Sequence, residues 1–102
     1  MHVVNTREEA RAALAAGASA LVTPPFAACY AGVNYYRGLI DDLQREFPNS
    51  SFTFTLDCGD DAAIAHDALR LGFTSLICRC APGLYEKLQH AAAHANVQLK
   101  AA

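Results

Sequence analysis

Short apolar runs alternate with helical patterns along the whole chain. Apolar and β-branched runs bounded by polar or turn residues predict β-strands. These runs are residues 2–5, 19–23, 51–57, 74–78 and, more weakly, 97–99. Apolar positions at helical spacing predict helices over about residues 7–16, 34–47, 60–71 and 82–95. Strands that alternate with helices through such short connections predict a parallel sheet with right-handed crossovers.

Glycine and proline mark the predicted helix ends. Gly17 and Gly72 each follow a helical pattern directly, where a left-handed glycine commonly ends a helix. Pro48 stops the second helix, and Pro82 suits the first turn of the fourth. The fourth helix is expected to face the core through Leu84, Leu88, Ala91 and Ala95.

The strand at 51–57 distinguishes two α/β architectures. Its sequence, SFTFTLD, alternates apolar and polar residues, so Phe52, Phe54 and Leu56 point one way and Thr53, Thr55 and Asp57 the other. A doubly wound sheet is covered on both faces and favours continuous apolar strands. The alternation therefore favours a half TIM-barrel-like sheet of four or five βα units. A flavodoxin-like doubly wound sheet is the alternative.

Two stretches suggest an internal duplication. ALAAGASALVT, which contains Gly17, aligns with ALRLGFTSLIC, which contains Gly72. Farther along, GLIDDLQ from Gly38 aligns with GLYEKLQ from Gly83. Two tandem βαβα-type units would explain both matches, although alanine-rich helices produce such matches easily.

Composition and charge describe a single α/β domain spanning residues 1–102. A net charge of -2 and only two lysines leave no basic stripe for phosphates, so we expect no nucleic-acid partner. The longest nearly apolar stretch, residues 12–22, is too short to span a bilayer. We therefore expect no membrane association and a cytoplasmic location, where the four cysteines stay reduced.

The segment AALAAGASALVTPP resembles part of the βα barrel of the 2-keto-3-deoxy-6-phosphogluconate aldolase type. It covers about a seventh of the chain and ends, as in that family, with an apolar strand near proline. The family's Schiff-base lysine has no counterpart, since Lys87 lies on a predicted helix and Lys100 in the tail. The resemblance therefore implies a half-barrel and not the aldolase chemistry.

A second resemblance is to response-regulator receivers. Asp57 ends the third strand and Lys100 follows the fifth, as in that flavodoxin-like family. The paired acid after the first strand is missing, and Cys78 stands where a hydroxyl residue is expected. A phosphoacceptor role for Asp57 is therefore disfavoured.

Ligands of parallel βα proteins gather at the carboxyl ends of the strands. The candidate ligand-binding residues there are Asn5, Thr23, Asp57, Cys58 and Arg79. Asp57 has the chemistry of a general base, and Arg79 that of an anion clamp, while a structural ion pair between them is the simpler interpretation. The long loop 24–33 at the same end is the best candidate for a lid.

Other polar clusters have simpler explanations than chemistry. Asp60 and Asp61 precede a helix, where aspartate caps the N-terminus. His90 and His94 lie one turn apart, a spacing that can bind metal, but they are expected on a solvated helix face. The four cysteines lack zinc-ribbon spacing, so we expect no metal site and no cofactor.

Two functions remain open on the sequence. The first is a small-molecule or anion-binding module with its site at the strand ends. The second is an aldolase- or isomerase-like enzyme assembled from two half-barrels, with Asp57 as base and Arg79 as anion anchor. Whether the chain is catalytic stays open. An open half-barrel needs cover for its edges, so we also expect a homodimer or higher oligomer.

Overall fold

The computed structural model describes residues 1–101 and contains ten regular elements in that range. The strands are β1 (His2–Val3), β2 (Ala20–Val22), β3 (Thr53–Asp57), β4 (Ser75–Ile77) and β5 (Gln98–Lys100). The helices are α1 (Arg7–Ala15), α2 (Ala27–Ala31), α3 (Val33–Glu46), α4 (Ala62–Arg70) and α5 (Pro82–His94). The predicted α/β class is confirmed, and the five predicted strands and four predicted helices all form.

The five strands make one parallel sheet in the order β1-β2-β3-β4-β5. Right-handed crossovers in a sheet whose order never reverses place successive helices on the same face. The packing agrees, because α1 lies against α3, α3 against α4, and α4 against α5. The main core therefore fills the space between this helical layer and one face of the sheet.

Strand alternation divides side chains between the two faces. Leu21, Phe54, Leu56 and Leu76 are buried on the helix side, where the ring of Tyr36 packs 6.2 Å from that of Phe54. Two hydroxyl residues, Thr55 and Ser75, lie on the opposite face. Their oxygens are 2.8 Å apart, and both residues are buried. The central strand β3 is thus enclosed on both sides.

Local sequence signals set the helix starts. Thr6 caps α1 by accepting a hydrogen bond from the Glu9 backbone N–H, and the Glu9 carboxylate accepts from the Thr6 N–H in return. Asp61 caps α4 by accepting from the Ile64 N–H, which confirms its predicted role. Pro82 is the first residue of α5, as predicted.

The three helices that lead into β2, β4 and β5 end in the same way. After α1 the N–H of Ala18 donates to the carbonyl of Ala13, and after α4 that of Phe73 donates to Ala68. Gly17 and Gly72 take the left-handed conformation predicted for them, with φ of 95° and 85°. After α5 the left-handed residue is Asn96, which also tolerates positive φ.

Two expectations need correction. The stretch 24–33 is not an open loop, because it contains the short helix α2, and Ala27 and Ala28 on that helix are buried. The buried residues of α5 are Leu88 and Ala92, whereas Leu84 is 50% exposed and Ala95 is exposed. Alanine at three consecutive positions of α5, residues 91–93, fits more than one apolar stripe, so spacing alone does not fix the buried face.

Within residues 1–101, none of the helices has the length and apolar character needed to cross a bilayer.

Candidate functional site

The candidate site centres on Asp57, the last residue of β3. Alternation places its side chain on the sheet face away from the helices, next in line after Thr55. The residue is only 3% exposed, so its carboxylate depends on protein partners for hydrogen bonds. The position is thus a buried charge at the carboxyl edge of the sheet.

Four N–H donors meet the Asp57 carboxylate. Arg79 binds it through two bonds, from Nη2 to Oδ1 at 2.7 Å and from Nη1 to Oδ2 at 3.1 Å. The backbone N–H groups of Phe26 and Gly59 both donate to Oδ1, at 3.0 and 2.9 Å. Asp57 therefore joins three separate segments of the chain at one point.

The hydrogen bonds decide the ionisation of this carboxyl group. Burial by itself disfavours the charged form of Asp57, but the bonds from Arg79, Phe26 and Gly59 outweigh it and hold the pKa below its usual value. The hydrogen bond to Asp57 likewise raises the pKa of Arg79. The pair is a stable ion pair, and a carboxylate so fully engaged is a weak proton acceptor.

Phe26 completes the cluster from the side of α2. Its backbone is left-handed, with φ of 64°, and its ring lies 5.2 Å from the guanidinium carbon of Arg79, as in a cation–π contact. Gly59 also has a positive φ, 61°, and lies directly against that ring. We call Phe26, Asp57, Gly59 and Arg79 the rim cluster.

Sequence reasoning identified half of the rim cluster. Asp57 and Arg79 were found because they follow strands, while Phe26 and Gly59 were not singled out. Gly59 carried a weak signal, since glycine two residues after a strand often marks a close backbone approach. Phe26 had no local signal, because its role depends on where α2 docks.

The other predicted site residues have structural partners. The hydroxyl of Thr23, a buried residue, accepts the Asp57 backbone N–H at 2.9 Å and so links β2 to β3. Cys58 faces the helical layer and is fully buried, which raises the pKa of its thiol to about 12. Asn5 is exposed, and its backbone N–H donates to the Glu9 carboxylate at the start of α1. Only Thr23, Asp57 and Arg79 come together.

The segment expected to act as a lid is fixed at several points. Phe26 donates to Asp57, and the Cys29 thiol donates to the carbonyl of Cys58 at 3.4 Å. Tyr30 on the outer side of α2 is exposed. This segment therefore covers the end of β3 as a docked element.

All four cysteines are free thiols with different surroundings. Cys29 is exposed, Cys58 and Cys78 are buried, and Cys80 is intermediate. Burial, and then the neighbouring Cys80 thiol, raise the pKa of Cys78. Across residues 1–101, no three side chains of His, Cys, Asp or Glu are arranged to hold a metal ion.

One group of donors on this rim remains available. The side chain of Arg79 is 33% exposed, and its Nε–H is not used by Asp57. Three residues later α5 begins, and no side chain caps its N-terminus. By contrast, Thr6 caps α1 and Asp61 caps α4. An uncapped helix N-terminus presents backbone N–H donors and a partial positive charge.

Concave surface occurs elsewhere as well. A cavity of about 270 Å³ lies between α3 and α4. Its lining residues are Val33, Asn34, Asp67, Arg70 and Leu71. Neither Asp57 nor Arg79 lines this cavity.

Comparison with known proteins does not assign the chain to a family. No protein-family model matches it, and no curated protein is significantly similar to it. We therefore infer function from the geometry of the rim cluster and of the neighbouring N-terminus of α5.

Proposed function

We propose that this protein binds a small anionic ligand at the rim, between Arg79 and the N-terminus of α5. The observation that carries the proposal is a fixed, partly exposed guanidinium on a residue three positions before an uncapped helix. Asp57 and the Phe26 ring hold Arg79 in place, so little side-chain entropy is lost when an anion binds to its remaining N–H groups. Phosphate and carboxylate groups suit such donors.

The geometry supports binding better than the alternative of a half-barrel enzyme. The proposed base, Asp57, is engaged by four donors and has a lowered pKa. The buried thiols of Cys58 and Cys78 have raised pKa values, whereas nucleophilic thiols need lowered ones. Asp57 is therefore a poor base, and Cys58 and Cys78 are poor nucleophiles.

Phosphate titration followed by backbone amide shifts tests the proposal. We expect saturable shifts at the Arg79 Nε–H and at the backbone amides of residues 80–84 other than Pro82, which has no N–H, and none at the capped starts of α1 and α4. Ala81 precedes α5 with φ of -58° and ψ of 148°, so aspartate fits there as a cap. Ala81→Asp should weaken phosphate binding by about tenfold or more, because a carboxylate would occupy the same donors and repel the anion.

Ala81→Asn is the matched control, since it caps the helix without adding charge. It should weaken phosphate binding less than Ala81→Asp does. Unchanged amide shifts at 80–84 in the wild type, or equal phosphate affinity in the wild type and Ala81→Asp, would contradict the proposal.

We further propose that the sheet is an open half-barrel that self-associates through the face opposite the helical layer. A half-barrel requires a curved sheet. The strand order, which never reverses, and the burial of β3 on both faces support such a curvature. Val3 lies in the row of Val22 and Thr55 on that face and is 64% exposed. The outer edges of β1 and β5 also lack a neighbouring strand in the described chain.

Solution mass measured by light scattering tests self-association. We expect the wild type to be a dimer or larger, and Val3→Lys to be monomeric, because a buried unpaired ammonium at an interface is costly. Leu71→Lys, a partly exposed apolar residue at the end of α4, is the control and should keep the wild-type mass. A monomeric wild type would rule out this part of the proposal.

A further inference from the structure

Helix α5 carries a stripe of polar side chains that the proposed anion site does not use. Glu86, His90 and His94 follow one another at intervals of four residues, so they lie along one face of the helix. All three are exposed, while Leu88 and Ala92 face the core. The stripe therefore forms part of the outer surface of the molecule.

The two imidazole rings are close to each other and free. Their centroids are 4.8 Å apart in an edge-to-face arrangement. Within residues 1–101, neither ring takes part in an ion pair or a side-chain hydrogen bond. Together with Ala93 they border a surface depression of about 190 Å³, which leaves room for further ligands such as water.

This arrangement suits a divalent transition-metal ion. Histidines one helical turn apart bind metal together in other helical sites, because their side chains reach the same point above the helix. Imidazole is a favoured ligand of Ni²⁺, Cu²⁺ and Zn²⁺, with nitrogen–zinc distances near 2.0–2.1 Å, and two rings with centroids 4.8 Å apart are close enough to share one ion.

We propose that His90 and His94 form a two-histidine site for a divalent transition-metal ion on the outer face of α5. Water completes the coordination, since no third His, Cys, Asp or Glu within residues 1–101 is positioned to complete a cluster with them. The site is separate from the rim cluster, and neither proposal depends on the other.

Calorimetric titration of the full chain with Ni²⁺ tests the site. Every protein in this titration carries the substitution Cys29→Ser, because the exposed thiol of Cys29 would also bind soft metals. We expect saturable binding of one ion, weakened about tenfold or more by either His90→Gln or His94→Gln. His66→Gln removes a histidine from α4 and should leave the affinity unchanged.

Metal-induced shifts of the imidazole resonances provide a second readout that does not depend on stability. Ni²⁺ should broaden the signals of His90 and His94 before those of His2 and His66. Ni²⁺ affinity that is equal in the wild type and in both single variants would overturn the proposal. Broadening that begins at His2 or His66 would overturn it as well.

Discussion

Replacing Asp57 by alanine should lower the free energy of unfolding by about 3–5 kcal/mol. Asp57 is 3% exposed, and its carboxylate accepts from Arg79, from the Phe26 N–H and from the Gly59 N–H. Alanine would leave the two backbone donors and the guanidinium without their acceptor. The Arg79 side chain is 33% exposed and water can reach it, so the larger part of the cost comes from the Phe26 and Gly59 N–H groups left without an acceptor.

Urea denaturation of the wild type and Asp57→Ala measures this loss. Asp67→Ala is the matched control, since Asp67 also forms an aspartate–arginine pair, with Arg70, but at the exposed surface of α4. Surface pairs contribute little, so the control should change stability by about 0.5 kcal/mol or less. Similar losses in the two variants would show that the rim cluster does not hold the fold together.

The same carboxylate should make stability depend on pH. The pKa of Asp57 is lowered in the folded state, so the unfolded chain takes up its proton first, near the ordinary value of about 4. The contribution of Asp57 is therefore complete above that pH and is lost as the pH falls through the lower, folded pKa. Asp57→Asn should flatten this part of the stability curve. Glu9 and Glu46 also have lowered pKa values but are common to both proteins, so they cancel in the difference.

Gly59→Ala should lower the free energy of unfolding by about 2–4 kcal/mol. Two costs add at this position. A left-handed φ of 61° strains any residue with a Cβ, and that Cβ would lie 2.3 Å from Cδ1 of the Phe26 ring. The ring cannot retreat freely, because it packs against the Arg79 guanidinium.

Gly17→Ala separates the two costs. Gly17 also has a positive φ, 95°, but a Cβ there would meet open space, so only the backbone strain of about 1–2 kcal/mol applies. In a Phe26→Ala background the collision disappears, and Gly59→Ala should cost about as much as Gly17→Ala does. Chemical denaturation of the four proteins in this double-mutant cycle gives the coupling. Equal costs of Gly17→Ala and Gly59→Ala in the native background would be inconsistent with the contact.

Much of the fold was predictable because it follows from local signals. The helix starts at Thr6, Asp61 and Pro82 and the left-handed ends at Gly17 and Gly72 are short-range effects of single residues. The alternation of apolar and polar residues in β3 correctly predicted that Phe54 and Leu56 lie on one face of the sheet and Thr55 on the other. Repeated βα order then leaves few topologies other than a parallel sheet.

What the sequence did not predict depends on contacts between distant segments. Helix α2 forms where Ala27 and Ala28 pack at the rim, but its five residues, although rich in alanine, are too few to predict a helix and have no side-chain cap. The exposure of Leu84 follows from which side of α5 meets α4, a choice that small alanine side chains leave open. Phe26 likewise gained its role only through the fold, since Asp57 lies 31 residues away.

The unreversed strand order also bears on how the molecule loses its structure. Each strand pairs only with its neighbours along the chain, so detaching β1 or β5 breaks one ladder and leaves the rest intact. Fraying should therefore start at the two termini and progress inward, much as in a linear repeat array. The segment from Phe26 to Arg79, whose two ends both bind the Asp57 carboxylate, would be the last part of the chain to unfold.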